Sequence, residues 1–125
     1  MRPLLLVMLA GGIGCGLRFV TSTALTRATG AIFPWGTLTV NLVGCLLIGL
    51  FGYLGLEAKV LSRDAIVAIT SGFLGGLTTF SSFGYESLKM FERRELTLTV
   101  AYAIGSILLG LIAVWLGGRL GRALG

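Results

Sequence analysis

The side chains able to do chemistry in this chain are few, and most fall in one short stretch. Residues 71–86 read Ser-Gly-Phe-Leu-Gly-Gly-Leu-Thr-Thr-Phe-Ser-Ser-Phe-Gly-Tyr-Glu. On a helix, Phe80 and Phe83 share a face, and Ser82 and Glu86 share the flank beside it. The result is a helix with aromatic edges, which carry partial positive charge, and hydroxyls, which donate hydrogen bonds, side by side. Glu86 comes where the apolar run ends, either as a functional group or as an ordinary interfacial carboxylate. Upstream, Thr37, Asn41 and Gly44 follow at i, i+4 and i+7 on one face, with Thr39 turned elsewhere. Asn41 reads as an interhelical hydrogen bond or as an amide donor to a passing anion. Arg18 either snorkels to the headgroups or faces a wet vestibule. Tyr102 and Ser106, at i and i+4, extend a polar track or are an interface tyrosine and a packing serine. The chain has no histidine. Cys15 and Cys45 stand apart, without partner ligands. No nucleophile–base pair or metal-ligand cluster is visible, and no enzyme is expected.

The elements that must carry these residues are membrane helices. Of 125 residues, 12% are charged, against roughly 25% in a soluble domain. Four runs are charge-poor: 4–24, interrupted only by Arg18, and 28–56, 65–85 and 96–118, which carry no charge. Each reaches the roughly 20 apolar residues a bilayer span needs. The expectation is an all-α integral membrane fold, one domain over 1–125, with helices at about 4–25, 35–56, 64–86 and 96–118. Arg2 and the apolar run after it resemble a signal peptide, but the pattern continues past Cys15, so an uncleaved first helix is expected. Pro34 and Trp35 mark the turn into the second helix, and Ser62 is a weak cap for the third. Gly12 with Gly16, and Gly117 with Gly121, have the small-xxx-small spacing of close helix pairs. Gly75-Gly76 beside Thr78-Thr79 is poor helix material, which predicts a break near Gly75 to Thr79. At membrane depth a break needs cover from protein or a wet cavity. It frees carbonyls for a cation and N–H groups for an anion. The net charge of +5 lies at helix ends, where it meets headgroups rather than nucleic acid.

Loop charge bears on how the chain inserts. Four spans put both termini on one face. That face carries five basic residues outside the spans: Arg2, Lys59, Arg63, Arg119 and Arg122. The other carries four: Arg27, Lys89, Arg93 and Arg94. A difference of one gives almost no orienting preference. The expectation is insertion in both directions and an antiparallel, dual-topology homodimer. A parallel dimer, or a monomer held by another subunit, is the alternative.

Taken together, these residues resemble the Fluc (CrcB) fluoride channels. The resemblance lies in Gly14-Cys15-Gly16-Leu17-Arg18-Phe19, in 34–41 (Pro-Trp-Gly-Thr-Leu-Thr-Val-Asn) with Gly44, and in 72–83 with Glu86. It covers essentially the whole chain and is most specific in the third stretch. It implies passive export of fluoride through two antiparallel pores in a homodimer, in the bilayer of a bacterial inner membrane. It also implies that Phe80 and Phe83 face a pore, that Asn41 belongs to the pathway, and that Arg18 lies near an aqueous entrance. Ser81, Thr39, Glu86, Tyr102 and Ser106 become polar-track candidates. A central structural sodium ion would be held by the Gly75 and Thr78 backbone carbonyls of both subunits. Two other readings compete. One is a small multidrug-type proton-coupled exporter, which needs a carboxylate inside a span. Glu57, Asp64, Glu86, Glu92 and Glu95 all read as helix ends or loops. The other is a non-transporting membrane assembly subunit.

Overall fold

The computed structural model describes all 125 residues, and they form helices joined by short turns, with no strand. Helix α1 spans Arg2–Thr29, with Pro3 in its first turn, where a missing N–H costs nothing. It closes on Gly30, whose φ of 56° lets its N–H reach the Thr26 carbonyl. Arg27 in the last turn meets the negative end of the helix dipole, so α1 runs past its apolar span. Helix α2 spans Trp35–Gly52 and continues as one wide π turn, Tyr53–Glu57. Ser62 caps the next helix by accepting from the Ala65 N–H at 3.2 Å.

The third span has two pieces. Helix α3 (63–77) starts as an α turn, Arg63–Val67, widens into a π-helical stretch, Ala68–Leu74, and ends with Gly75–Leu77. Thr78 and Thr79 then leave the helix with extended backbones, at φ −90°, ψ 157° and φ −151°, ψ 124°. Helix α4 (Phe80–Glu92) restarts behind Thr79, whose hydroxyl accepts from the Ser82 N–H. The expected break is therefore present, at the β-branched pair rather than at the glycines. Helix α5 spans Leu96–Leu124. The runs Arg2–Thr29, Trp35–Glu57, Arg63–Glu92 and Leu96–Leu124 are each long and apolar enough to cross a membrane.

Glycines set the helix spacing. A Cβ at Gly14 would overlap the Phe73 carbonyl, and one at Gly76 would overlap the Gly11 carbonyl. On the other side, a Cβ at Gly49 would overlap the Val114 carbonyl, and one at Gly117 the Leu46 carbonyl. The Gly117–Gly121 spacing thus marks a real contact, with Gly121 against Tyr53. The Gly12–Gly16 spacing does not within this chain: both glycines face open space. The α1 surface that meets α3 is turned by about one residue and runs through Gly11 and Gly14. Period alone could not tell these two faces apart, because both carry glycine.

Only 15 of the 125 residues are buried. That leaves most apolar side chains, including Ile13, Phe19, Phe80, Leu111 and Trp115, on the outside. A surface of this kind belongs against lipid or another subunit. The interior consists of two small groups, Leu38 with Met90 and Tyr102, and Val40 with Leu74 and Leu77, one on each side of the break.

Candidate functional site

The break in the third span is fastened by Asn41. Its amide oxygen accepts from the Thr79 N–H at 2.8 Å, and its amide nitrogen donates to the Thr79 carbonyl at 3.0 Å. One side chain thereby replaces the two helical bonds that Thr79 gives up. The Thr79 N–H, which would otherwise reach back four residues, is drawn away from the Gly75 carbonyl. Thr78 stays turned toward the helix, its N–H and hydroxyl both bonded to the Leu74 carbonyl. Gly44 makes room for it, since a Cβ there would overlap the Thr78 Cγ2. Asn41 and Gly44 lie one turn apart, so one stripe of α2 both clamps and admits the break.

A cavity of about 380 Å³ opens beside this clamp, with Asn41, Gly75, Thr78, Phe80, Phe83 and Ser106 in its lining. Phe80 is 83% exposed, at the surface of the chain. Phe83 is half-buried, its ring centroid 5.6 Å from that of Phe80 and 5.1 Å from that of Tyr102. The Ser106 hydroxyl is buried without a hydrogen-bond partner. Asn41 carries two amide hydrogens and spends one on Thr79, so the second is left for the cavity. Amide and hydroxyl donors and two aromatic rings thus meet at one wall, and no charged side chain is among them.

One turn beyond Phe83, Glu86 accepts two hydroxyl donors: Thr37 Oγ1 at 2.6 Å and Tyr102 Oη at 2.8 Å. Thr37 is 4% exposed and Tyr102 is 1% exposed. This corrects the expectation that every carboxylate sits at a helix end or in a loop. Glu86 is half-buried inside the third span, whose helix continues to Glu92. The charged residues after it suggest an earlier end, but α4 carries Lys89 and Glu92 on its last exposed turns.

Phe80, Phe83, Asn41, Gly75, Thr78 and Ser106 are brought together, with Glu86 and Tyr102 adjoining them. Ser81 is exposed beside the break, within 3.2 Å of the Thr79 hydroxyl. Thr39 lines neither this cavity nor the Glu86 cluster. The threonine that belongs there is Thr37, which shares its stripe with Asn41 at i, i+4. That spacing was the signal for it. Arg18 does not line this cavity. Its Nε donates to the Gly76 carbonyl at 3.0 Å and its Nη2 to the Cys15 sulfur at 3.2 Å. It therefore supports the end of α3 from the opposite side.

Over residues 5–118 the chain matches the family described as CrcB-like protein, Camphor Resistance (CrcB). It is 45% identical over 124 residues to the fluoride-specific ion channel FluC of a Thermus thermophilus strain, covering 99% of this chain and 98% of that one. It is 40% identical over 117 residues to the protein of the same name from Phocaeicola vulgatus, covering 94% and 96%. Against the one from Geobacter sulfurreducens the identity is 37% over 117 residues, covering 94% of each chain.

Proposed function

The chain belongs to the CrcB-like family, and on that premise we propose that this multi-pass membrane protein is a passive, fluoride-selective channel. The observation that carries the reading is the shared cavity wall. Phe80, Phe83, the spare Asn41 amide hydrogen and the unpartnered Ser106 hydroxyl converge there beside a broken helix. Fluoride is small and holds its water strongly. A pore must return part of that hydration without trapping the ion, because conduction needs binding weak enough for exit. Hydroxyl and amide donors give hydrogen bonds, and ring edges give weak electropositive contacts that do not titrate.

The pathway is completed by a second copy in antiparallel orientation, giving two pores per homodimer. One chain leaves Phe80 exposed and its cavity open on one side, and the balanced loop charges permit both insertions. A central sodium ion fits the same arrangement. The Gly75 carbonyl has lost its Thr79 partner to Asn41, and both Gly75 and Thr78 border the cavity. Carbonyl oxygens suit a hard cation, and two from one chain fall short of the six or so such ions take. Two more from a partner would bring the set closer. Bound there, sodium supplies fixed positive charge near the pathway.

The test is fluoride efflux from liposomes that contain only this protein, followed with a fluoride electrode. Efflux driven by the fluoride gradient, with no imposed proton gradient, supports the channel. Efflux only with a proton gradient would favour the coupled exporter, and no efflux would favour an assembly subunit.

A further inference from the structure

A second cavity, of about 160 Å³, lies at the far end of α4. Ile32 and Pro34 of the turn before α2 form one wall, and Tyr85, Glu86, Lys89 and Arg93 line the other. It follows the first cavity along the same helix: Phe83 borders the first, and Glu86 borders the second. We infer that this cavity is the anion-collecting mouth of the pathway, and that Lys89 and Arg93 are the charges that concentrate fluoride there. The inference rests on the channel reading above.

Charge and geometry favour this role. Glu86 is the only acid in the lining, and both of its oxygens are engaged by hydroxyls from Thr37 and Tyr102. The two cations of the lining, Lys89 and Arg93, are both exposed. Lys89 rests with its ammonium 5.5 Å from the Tyr85 ring centroid and 2.9 Å from Glu92 Oε2. The Lys89 and Glu92 side chains are 46% and 51% exposed. A pair so wet is worth little, so it does not hold Lys89 away from an arriving anion. Glu92 instead acts as a partial counter-charge that weakens the mouth. Cations placed beyond the narrow part raise the local anion concentration without binding the ion where it must pass.

The size of the effect follows from screening. Across roughly 10 Å of water one unit charge changes the local anion concentration about two-fold at ~10 mM ionic strength, and much less at 0.15 M, where the Debye length is about 8 Å. Fluoride efflux is measured in neutral phosphatidylcholine liposomes at constant fluoride, with ionic strength set by an impermeant sulfonate salt. Lys89→Gln and Arg93→Gln each slow efflux about two-fold at low ionic strength and little at high. Glu92→Gln speeds it at low ionic strength. If the wild type conducts and all three variants match it at low ionic strength, the inference is wrong. Losses equal at both ionic strengths also overturn it, because they indicate distortion rather than charge. A wild-type protein that passes no fluoride removes the channel reading itself, and this inference with it.

Discussion

Replacing Asn41 by aspartate changes almost no volume, yet it touches both jobs the residue holds. One carboxylate oxygen still accepts from the Thr79 N–H, as Oδ1 does at 2.8 Å. The other now faces the Thr79 carbonyl, where the amide donated at 3.0 Å. Two acceptors meet, and the carbonyl loses its donor at a cost of about 1–3 kcal/mol. The new charge also borders the cavity proposed as the fluoride pathway. At roughly 6 Å and an effective dielectric constant of ~20, repulsion of the anion is about 3 kcal/mol. At 1.4 kcal/mol per tenfold, that alone slows passage about 100-fold. Asn41→Ala is the companion variant. It removes the clamp without adding charge, so it lowers thermal stability and slows flux less than aspartate does. The assay is fluoride efflux from liposomes at matched protein content, with assembly checked by gel filtration. Aspartate and alanine variants with equal rates would refute the charge argument. An alanine variant with unchanged melting temperature would refute the clamp.

Three other perturbations follow from the same geometry. Phe80→Ile and Phe83→Ile should each abolish or greatly reduce flux while the assembled protein elutes as before; wild-type flux from either would remove that ring from the pathway. Gly44→Ala places a methyl group onto Thr78 Cγ2, an overpacking strain of about 1–3 kcal/mol. It should lower the melting temperature and impair flux together, and an unaltered melting temperature would show that the break has room to spare. A reporter active on one side of the membrane only, fused to the C-terminus, should give signal in both of its paired versions; a strongly one-sided signal would rule out dual insertion.

Much of the fold could be read in the sequence because its signals are long. Four charge-poor runs locate four spans regardless of detail. The break was legible because glycine and β-branched residues agree on it. Its position by residue was not, since that is decided by Asn41 drawing on Thr79, a contact 38 positions away. The same limit explains the α1 face. Gly12 and Gly16 have the right spacing, but Gly11 and Gly14 meet α3, because rotation about a helix axis is fixed by the partner. Glu86 is misplaced by its sequence for another reason. Its position next to charged residues reads as a helix end, and only the buried Thr37 and Tyr102 hydroxyls reveal it as an interior group. Thr37 itself was visible in the i, i+4 pattern with Asn41, whereas Thr39 was carried by resemblance alone.

The break is held from several directions, and this bears on what the site can discriminate. A helix interrupted at Thr78 and Thr79 could flex, and flexing would blur any aperture beside it. Instead Arg18 fixes the Gly76 carbonyl from α1, and Asn41 fixes both polar groups of Thr79 from α2. The Thr79 hydroxyl also caps α4. Each bond uses a backbone group that the interruption had released, so none competes with the helices. The last turn of α3 and the first of α4 are therefore anchored separately, to different neighbours. Phe80 and Phe83 leave the capped start of α4, so the backbone that carries them is held there. Telling a small anion from a larger one depends on small differences in distance. A site built on a clamped break can hold those distances where a lone glycine kink could not.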